Sequence, residues 1–289
     1  MLTFVRDKSN TLTAQKSINI KGTLLDLTVP KVMGILNVTP DSFYEGSRQQ
    51  TITDLLRSAE KMLNEGATFL DIGGYSTRPG ADEIEEKEEI NRILEPIRQV
   101  ASRFPDAVIS IDTFRSEVAI EAINAGAHIV NDISAGMLDG RMLESVGWMG
   151  VPYIAMHMRG TPQDMKHHTE YEDLLGEVTH FFSERISAAK SAGIKDVIID
   201  PGFGFAKTVE QNFYLLNRVE YLKHLSHPLL IGVSRKSMVY KTLNIEAEAA
   251  LNGTTVLNTV ALLKGTSILR VHDVKEAVEA VKLVNQIVN

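Results

Sequence analysis

Side chains able to do chemistry recur at one kind of place in this chain, the end of a short apolar run. Asn37 follows VMGIL, Asp71 lies within ATFLDIGG, Asp112 ends AVISID, and Asn131 and Asp132 interrupt AHIVNDIS. Met156 and His157 close PYIAMH, Asp200 closes DVIID, Lys236 follows PLLIGVSR, and Arg270 and His272 alternate in TSILRVH. A single Asn or Asp at such a point is more often a turn former or helix cap than a ligand. A polar group after almost every apolar run is poorly explained that way. The set divides by chemistry. Asp112, Asn131, Asp200 and Lys236 offer donors and acceptors that are expensive to bury unpaired, which suits a flat hydrogen-bonding heterocycle such as a pterin or a purine. Arg270 and His272, with Asn37, Asp41 and Arg78, suit an anion such as phosphate or pyrophosphate, with or without a divalent metal. Asn37 is a hard oxygen ligand of the kind that Mg2+ accepts when it keeps most of its waters.

The apolar runs that carry these residues read as buried strands, and the segments between them read as helices. Apolar residues recur at helical spacing over 53–64, 83–103, 116–124, 141–146, 171–192, 209–225, 246–263 and 274–288. Gly66, Gly126 and Gly193 stand where C-terminal caps belong. Strict strand and helix alternation implies parallel strands joined by right-handed crossovers. Eight such units after residue 30 predict a (β/α)8 TIM barrel, in which the strand ends share one mouth. A doubly wound open sheet is the alternative, but Asn-Val-Thr-Pro stands where its glycine-rich turn would follow the first strand. Residues 1–30 read as a small N-terminal β-hairpin extension capping the bottom of the fold, and residues 31–289 as one barrel domain.

Composition narrows the class further. With 289 residues, 44% hydrophobic and 23% charged, the chain resembles an ordinary globular protein. A net charge of -7 without a basic cluster argues against nucleic acid as the main partner. The sequence contains no cysteine, which excludes disulfides and thiolate chemistry. It shows neither a signal peptide nor an apolar run of membrane-spanning length, so a cytoplasmic enzyme with no membrane partner is expected. The acidic run early in the second helix reads as a solvated face, Tyr75 as an exposed loop residue, and His167 and His168 as exposed rather than metal-binding.

Seven segments, taken in order, resemble one family. NVTPDSF (37–43), DIGGYSTRPGA (71–81), IDT (111–113), NDIS (131–134), DPGFGFAK (200–207), GVSRKS (232–237) and RVHDV (270–274) are similar to the motifs of the dihydropteroate synthases, the folate-pathway enzymes that sulfonamides inhibit. The resemblance implies a transferase that condenses 6-hydroxymethyl-7,8-dihydropterin diphosphate with 4-aminobenzoate and releases pyrophosphate. It further implies that Asp112, Asn131, Asp200 and Lys236 hold the pterin, with Met156 and Phe205 nearby. Asn37 would ligate Mg2+, and Arg270 and His272 would bind the diphosphate. Phe43, Thr77, Arg78, Pro79 and Ser237 would shape the aminobenzoate side. Tyr75 departs from the pattern, since many members carry an acid there. Two readings compete within the enzymes. A methyltransferase-type pterin barrel would have no use for NVTPDSF and RVH, and an aldolase would use Lys236 as a Schiff-base lysine. A non-catalytic relative should have lost Asn37, Asp41, Arg270 and His272 first. A homodimer through the last two outer helices is expected, and Asn37 is expected to be fixed while residues 41–46 form a mobile lid.

Overall fold

The computed structural model describes residues 15–38, 48–75 and 84–288. An antiparallel hairpin, β1 (Ser17–Ile20) and β2 (Thr23–Asp26), precedes the main sheet. Its two-residue turn, Lys21 and Gly22, lies at φ 49° and 85°, the left-handed pair that matches the twist of a tight hairpin. There follow β3 (Lys31–Asn37), α1 (Arg48–Asn64), β4 (Phe69–Gly73), α2 (Glu86–Arg103), β5 (Val108–Asp112), α3 (Ser116–Ala125), β6 (Ile129–Asp132) and α4 (Met142–Met149). The second half comprises β7 (Tyr153–Met156), α5 (Leu174–Ser191), β8 (Val197–Asp200), α6 (Val209–Arg218), β9 (Leu230–Ile231), α7 (Ser237–Leu243), α8 (Leu251–Leu263), β10 (Ile268–Val271) and α9 (Val274–Val288).

The eight strands β3 to β10 are parallel, and β10 pairs with β3. A parallel bridge between Ile199 and Leu229 joins β8 to the β9 approach and closes the ring. That closure is the expected (β/α)8 barrel and excludes an open sheet. The register explains the mouth. Met33, Phe69, Ile129, Ile154, Ile198, Leu230 and Ile268 form one buried cluster inside the barrel, sealed from below by Ile18 and Leu27 of the hairpin. The hairpin therefore does plug the bottom. Because side chains alternate along a strand, the residues two positions on also point inward. They are Ile35, Asp71, Asn131, Met156, Asp200, Gly232 and Arg270. The same alternation turns the opposite set outward, where Val32, Leu70, Ile109, Val130, Ile199 and Leu269 pack with the helices in the main core.

Several helix boundaries differ from the periodicity. The first helix begins at Arg48 rather than at residue 53. The fifth begins at Leu174 rather than at residue 171, because Asp173 caps it by accepting from the Gly176 amide at 3.1 Å. Tyr171 is thereby released to donate its hydroxyl to the Ala206 carbonyl at 2.9 Å. The sixth α-helix stops at Arg218 and tightens into a 3-10 turn, Val219–Leu225. A seven-residue helix, Ser237–Leu243, stands where the apolar periodicity marks none. Seven residues are too few to show a period. No helix among the described residues is long and apolar enough to cross a membrane.

Candidate active site

At the centre of the mouth stands Arg270, from β10. Its Nε donates to Asp71 Oδ2 at 2.6 Å and its Nη2 to Asp112 Oδ2 at 2.6 Å. Asp71 Oδ2 also accepts from Asn131 Nδ2 at 3.1 Å. Four residues from four strands thus form one hydrogen-bonded chain, Asn131–Asp71–Arg270–Asp112. Asp71 is 1% exposed. The remaining oxygens, Asp71 Oδ1 and Asp112 Oδ1, are buried with no hydrogen-bond partner among the described residues. Buried carboxylate oxygens without partners are costly, so they mark the place where a ligand with donors belongs. Burial pushes the Asp112 carboxyl up to about 7, and the Arg270 guanidinium opposes the rise. Burial works against the Arg270 charge too, but Asp71 and Asp112 outweigh it and hold that charge firmly.

Lys236 and Asp200 make the second part. Burial lowers the Lys236 ammonium to about 8 while the Asp200 carboxylate opposes the shift. Burial raises Asp200 in turn, and Lys236 opposes that. Lys236 donates to the Phe203 carbonyl, and its Nζ lies 4.9 Å from the centre of the Phe205 ring. Asp200 Oδ1 accepts from the Gly202 amide at 2.8 Å. Gly202 is at φ +68°, and a Cβ there would run into the His157 carbonyl oxygen, so only glycine makes this turn. Met156, with Ile133, Met158, Met165 and Ala206, makes an apolar wall against which Phe205 packs.

His272 stands just past β10, its Nδ1 3.0 Å from Ser234 Oγ and its amide donating to the same oxygen at 3.2 Å. Ser237 is half-buried at the start of α7, and Asn37 ends β3 exposed and in register with Gly73. Asp41, Phe43, Thr77, Arg78 and Pro79, and the lid expected over residues 41–46, lie outside the described residues. His167 and His168 are exposed, as expected.

Two readings of the sequence are corrected at the rim. Tyr75 is buried, not exposed: its ring meets Phe114 edge-on at 5.2 Å, Arg115 lies 5.3 Å from its centre, and its hydroxyl accepts from Gln163 Nε2 at 2.7 Å. The acidic start of α2 is not wholly a solvated face either. Glu89 is fully buried and accepts from Thr113 Oγ1 at 2.7 Å and Arg115 Nη1 at 2.9 Å. Thr113 directly follows Asp112, so this pair braces the end of β5. Arg115→Ala is expected to lower stability by about 3–5 kcal/mol, because it strands a buried carboxylate. An unchanged Tm would show that the Glu89 pair carries no such load.

Two further buried polar groups brace the loops of the rim. Asp132 is buried and accepts from Tyr153 Oη at 2.6 Å, Ser134 N at 2.7 Å and Gly136 N at 2.7 Å, so it fastens the loop after β6 and does not face the mouth as a ligand. Lys207, the last residue of DPGFGFAK, is buried and bonds His157 Nδ1 at 2.9 Å.

Fold and mouth define a barrel enzyme that holds a polar heterocycle beside an anion. A family model described as pterin binding enzyme matches residues 33–272. The chain is 43% identical to dihydropteroate synthase of Escherichia coli K12 over 91% of this chain and 94% of that one. Among solved structures, Yersinia pestis dihydropteroate synthase in a sulfonamide drug complex matches with TM-score 0.88 and 42% identity, covering 94% of this chain and 98% of the other. Xanthomonas albilineans dihydropteroate synthase with 4-aminobenzoic acid matches with TM-score 0.87 and 37% identity, covering 95% and 98%. The chain therefore belongs to the family of pterin-binding enzymes, and within it to the dihydropteroate synthases.

Proposed function

We propose that the mouth assembled around Arg270, Asp112, Asp200 and Lys236 is where this chain carries out the family reaction. The activity is that of a dihydropteroate synthase of folate synthesis: 6-hydroxymethyl-7,8-dihydropterin diphosphate and 4-aminobenzoate give 7,8-dihydropteroate and pyrophosphate. The observation that carries the placement is the pair of partnerless buried oxygens on Asp71 and Asp112, which need the N–H groups of a heterocycle. Asp112, Asn131, Asp200 and Lys236 would hold the pterin edge, with Met156 and the Phe205 ring against its apolar surface. Arg270 and His272 would take the diphosphate.

In the reaction the methylene C–O bond breaks and pyrophosphate leaves with the electron pair. The arylamine nitrogen then bonds to that carbon and loses one proton to solvent. Cations at the leaving group lower the barrier by stabilising the charge that develops there. Asp112 stabilises the positive charge shared between the methylene carbon and the ring. No strong general base is needed. Ser237 would meet the aminobenzoate carboxylate, and Phe43, Thr77, Arg78 and Pro79 would complete that side as the family motif implies. Asp41 would join the anion side.

The donor set fits a sparsely held Mg2+. Asn37 offers one exposed neutral oxygen at the mouth, and the described residues hold no group of three or more acids or histidines able to cage a metal. Asn37 would hold such an ion, one protein oxygen being enough for a metal that keeps most of its waters. When bound it would neutralise leaving-group charge. The division at residue 30 and the cytoplasmic placement are parts of the same proposal, and both rest on the sequence. A homodimer would use α8 and α9, which expose Val256, Leu263, Leu283 and Ile287. Sedimentation equilibrium is expected to give twice the 32.0 kDa chain mass, and a monomer at micromolar concentration would remove the dimer.

The deciding experiment mixes purified protein, Mg2+, pterin diphosphate and labelled 4-aminobenzoate. Labelled dihydropteroate is expected. None, with both substrates shown to bind, would overturn the reading.

A further inference from the structure

Lys207 is a buried amine that the reaction does not use; burial lowers its ammonium to about 7, and the Asp200 carboxylate opposes the shift. It is 8% exposed and forms no salt bridge among the described residues. Its Nζ is held by three acceptors: His157 Nδ1 at 2.9 Å, the Gly202 carbonyl at 3.1 Å and the Phe205 carbonyl at 3.1 Å. A buried amine must satisfy its donors, so what it holds matters. It holds both ends of the turn after β8.

Other bonds hold the same turn, among them that of the Gly202 amide to Asp200 Oδ1 at 2.8 Å. The Gly204 amide donates to Asn212 Oδ1 at 2.8 Å, the Phe205 amide to the Gly202 carbonyl at 3.1 Å, and the Ala206 carbonyl accepts from Tyr171. The two groups of the turn that face the mouth, the Phe203 carbonyl and the Phe205 ring, are the two that touch Lys236. On the far side His157 is 2% exposed, packs edge-on against Phe181 of α5 at 4.8 Å, and donates its amide to the Asp200 carbonyl at 2.9 Å. Burial, with Lys207 and Arg159 nearby, keeps its ring neutral, so Nδ1 is free to accept.

We infer that Lys207 and His157 are positioning residues: they tie the Gly202–Phe205 turn to the end of β7 and thereby aim the Lys236 ammonium at the substrate. This rests on the assignment of Lys236 to the pterin pocket. The two residues touch neither substrate; their effect passes through Phe203 and Phe205 to Lys236, and through the Gly202 amide to Asp200, both on the pterin side. No hydrogen bond joins either residue to Ser237, on the aminobenzoate side, among the described residues.

The test uses the full chain. Lys207→Met keeps the stem and removes the donors. It is expected to raise KM for the pterin diphosphate tenfold or more while KM for 4-aminobenzoate stays within twofold. His157→Phe, which removes the acceptor and keeps a ring against Phe181, is expected to act in the same direction, and the double variant should be no worse than Lys207→Met. A pterin KM within threefold of the parent in Lys207→Met, or an equal rise in both KM values, would overturn the inference. If Lys207→Met does not fold, His157→Phe decides by the same split. Lys236→Met, measured alongside, separates the two levels: a normal pterin KM there removes the pocket assignment, whereas a raised one with a normal Lys207→Met removes only the positioning role.

Discussion

Asp112→Asn is expected to lower kcat/KM for the pterin diphosphate by roughly 10²- to 10³-fold, on the order of 3–4 kcal/mol, the loss typical when one preorganised charge partner is removed from a reacting centre. The substitution keeps the side chain's shape and an oxygen for Arg270 while deleting the negative charge. Only the charge separates stabilising a methylene cation from merely filling space. The pH dependence supplies an independent check. The Asp112 carboxyl sits up at about 7 and the Lys236 ammonium down at about 8. If the carboxylate and the ammonium are the working forms, kcat/KM rises with pH through about 7, falls through about 8, and the acid limb disappears in Asp112→Asn. The stability sign runs the other way. A carboxyl raised above its unfolded value contributes stability below the ordinary carboxylate range and loses it as the pH rises through about 7. The Tm of Asp112→Asn should therefore fall less than that of the parent between pH 4 and 7. Near-normal turnover in the variant would refute the role.

Arg270→Ala carries the second large effect, and the structure widens it beyond the diphosphate. The sequence reading assigned Arg270 to the anion. In the barrel it also separates two carboxylates, one of them almost wholly buried. Removing it leaves Asp71 and Asp112 without their cation, at a cost of about 3–5 kcal/mol. For a chain of this size that is roughly a 5–8 °C fall in Tm. Asp112 would then take up a proton more readily, since the guanidinium is what opposes its rise. Calorimetric titration should accordingly show weaker binding of both pyrophosphate and the isolated pterin, with pyrophosphate losing more. Arg270→Lys should recover part of the Tm, because a point charge remains but the fork that reaches two carboxylates does not. An unchanged Tm together with intact pterin affinity would show that the carboxylates do not depend on Arg270.

Much of this arrangement was written locally. Eight apolar runs in alternation with helices specify parallel crossovers, and a parallel barrel gathers strand ends at one mouth, so Asp71, Asp112, Asn131, Asp200 and Arg270 could be placed together before any contact was known. The hairpin and its role as a plug were legible too, since alternation of apolar and polar residues is a short-range signal. The seven-residue α7 was not, because it is too short to repeat. Tyr75 and Glu89 were misread because loop position and charge runs describe average exposure, while burial depends on what packs above them. Tyr75 found Phe114, Arg115 and Gln163, and Glu89 found Thr113 and Arg115.

The sequence by itself therefore determined which residues reach the mouth, because the two-residue period of a strand and the closure of the sheet leave no other place for them. Only the tertiary structure decided who pairs with whom. Asp71 and Arg270 are 199 residues apart along the chain and 2.6 Å apart across the barrel. Their pairing follows from the register in which β10 meets β3 and β3 meets β4, which no local pattern encodes. Lys207 shows the same limit: its type and position were visible, but that it knots the β7 and β8 ends beneath Lys236 depends on two strands being neighbours in space.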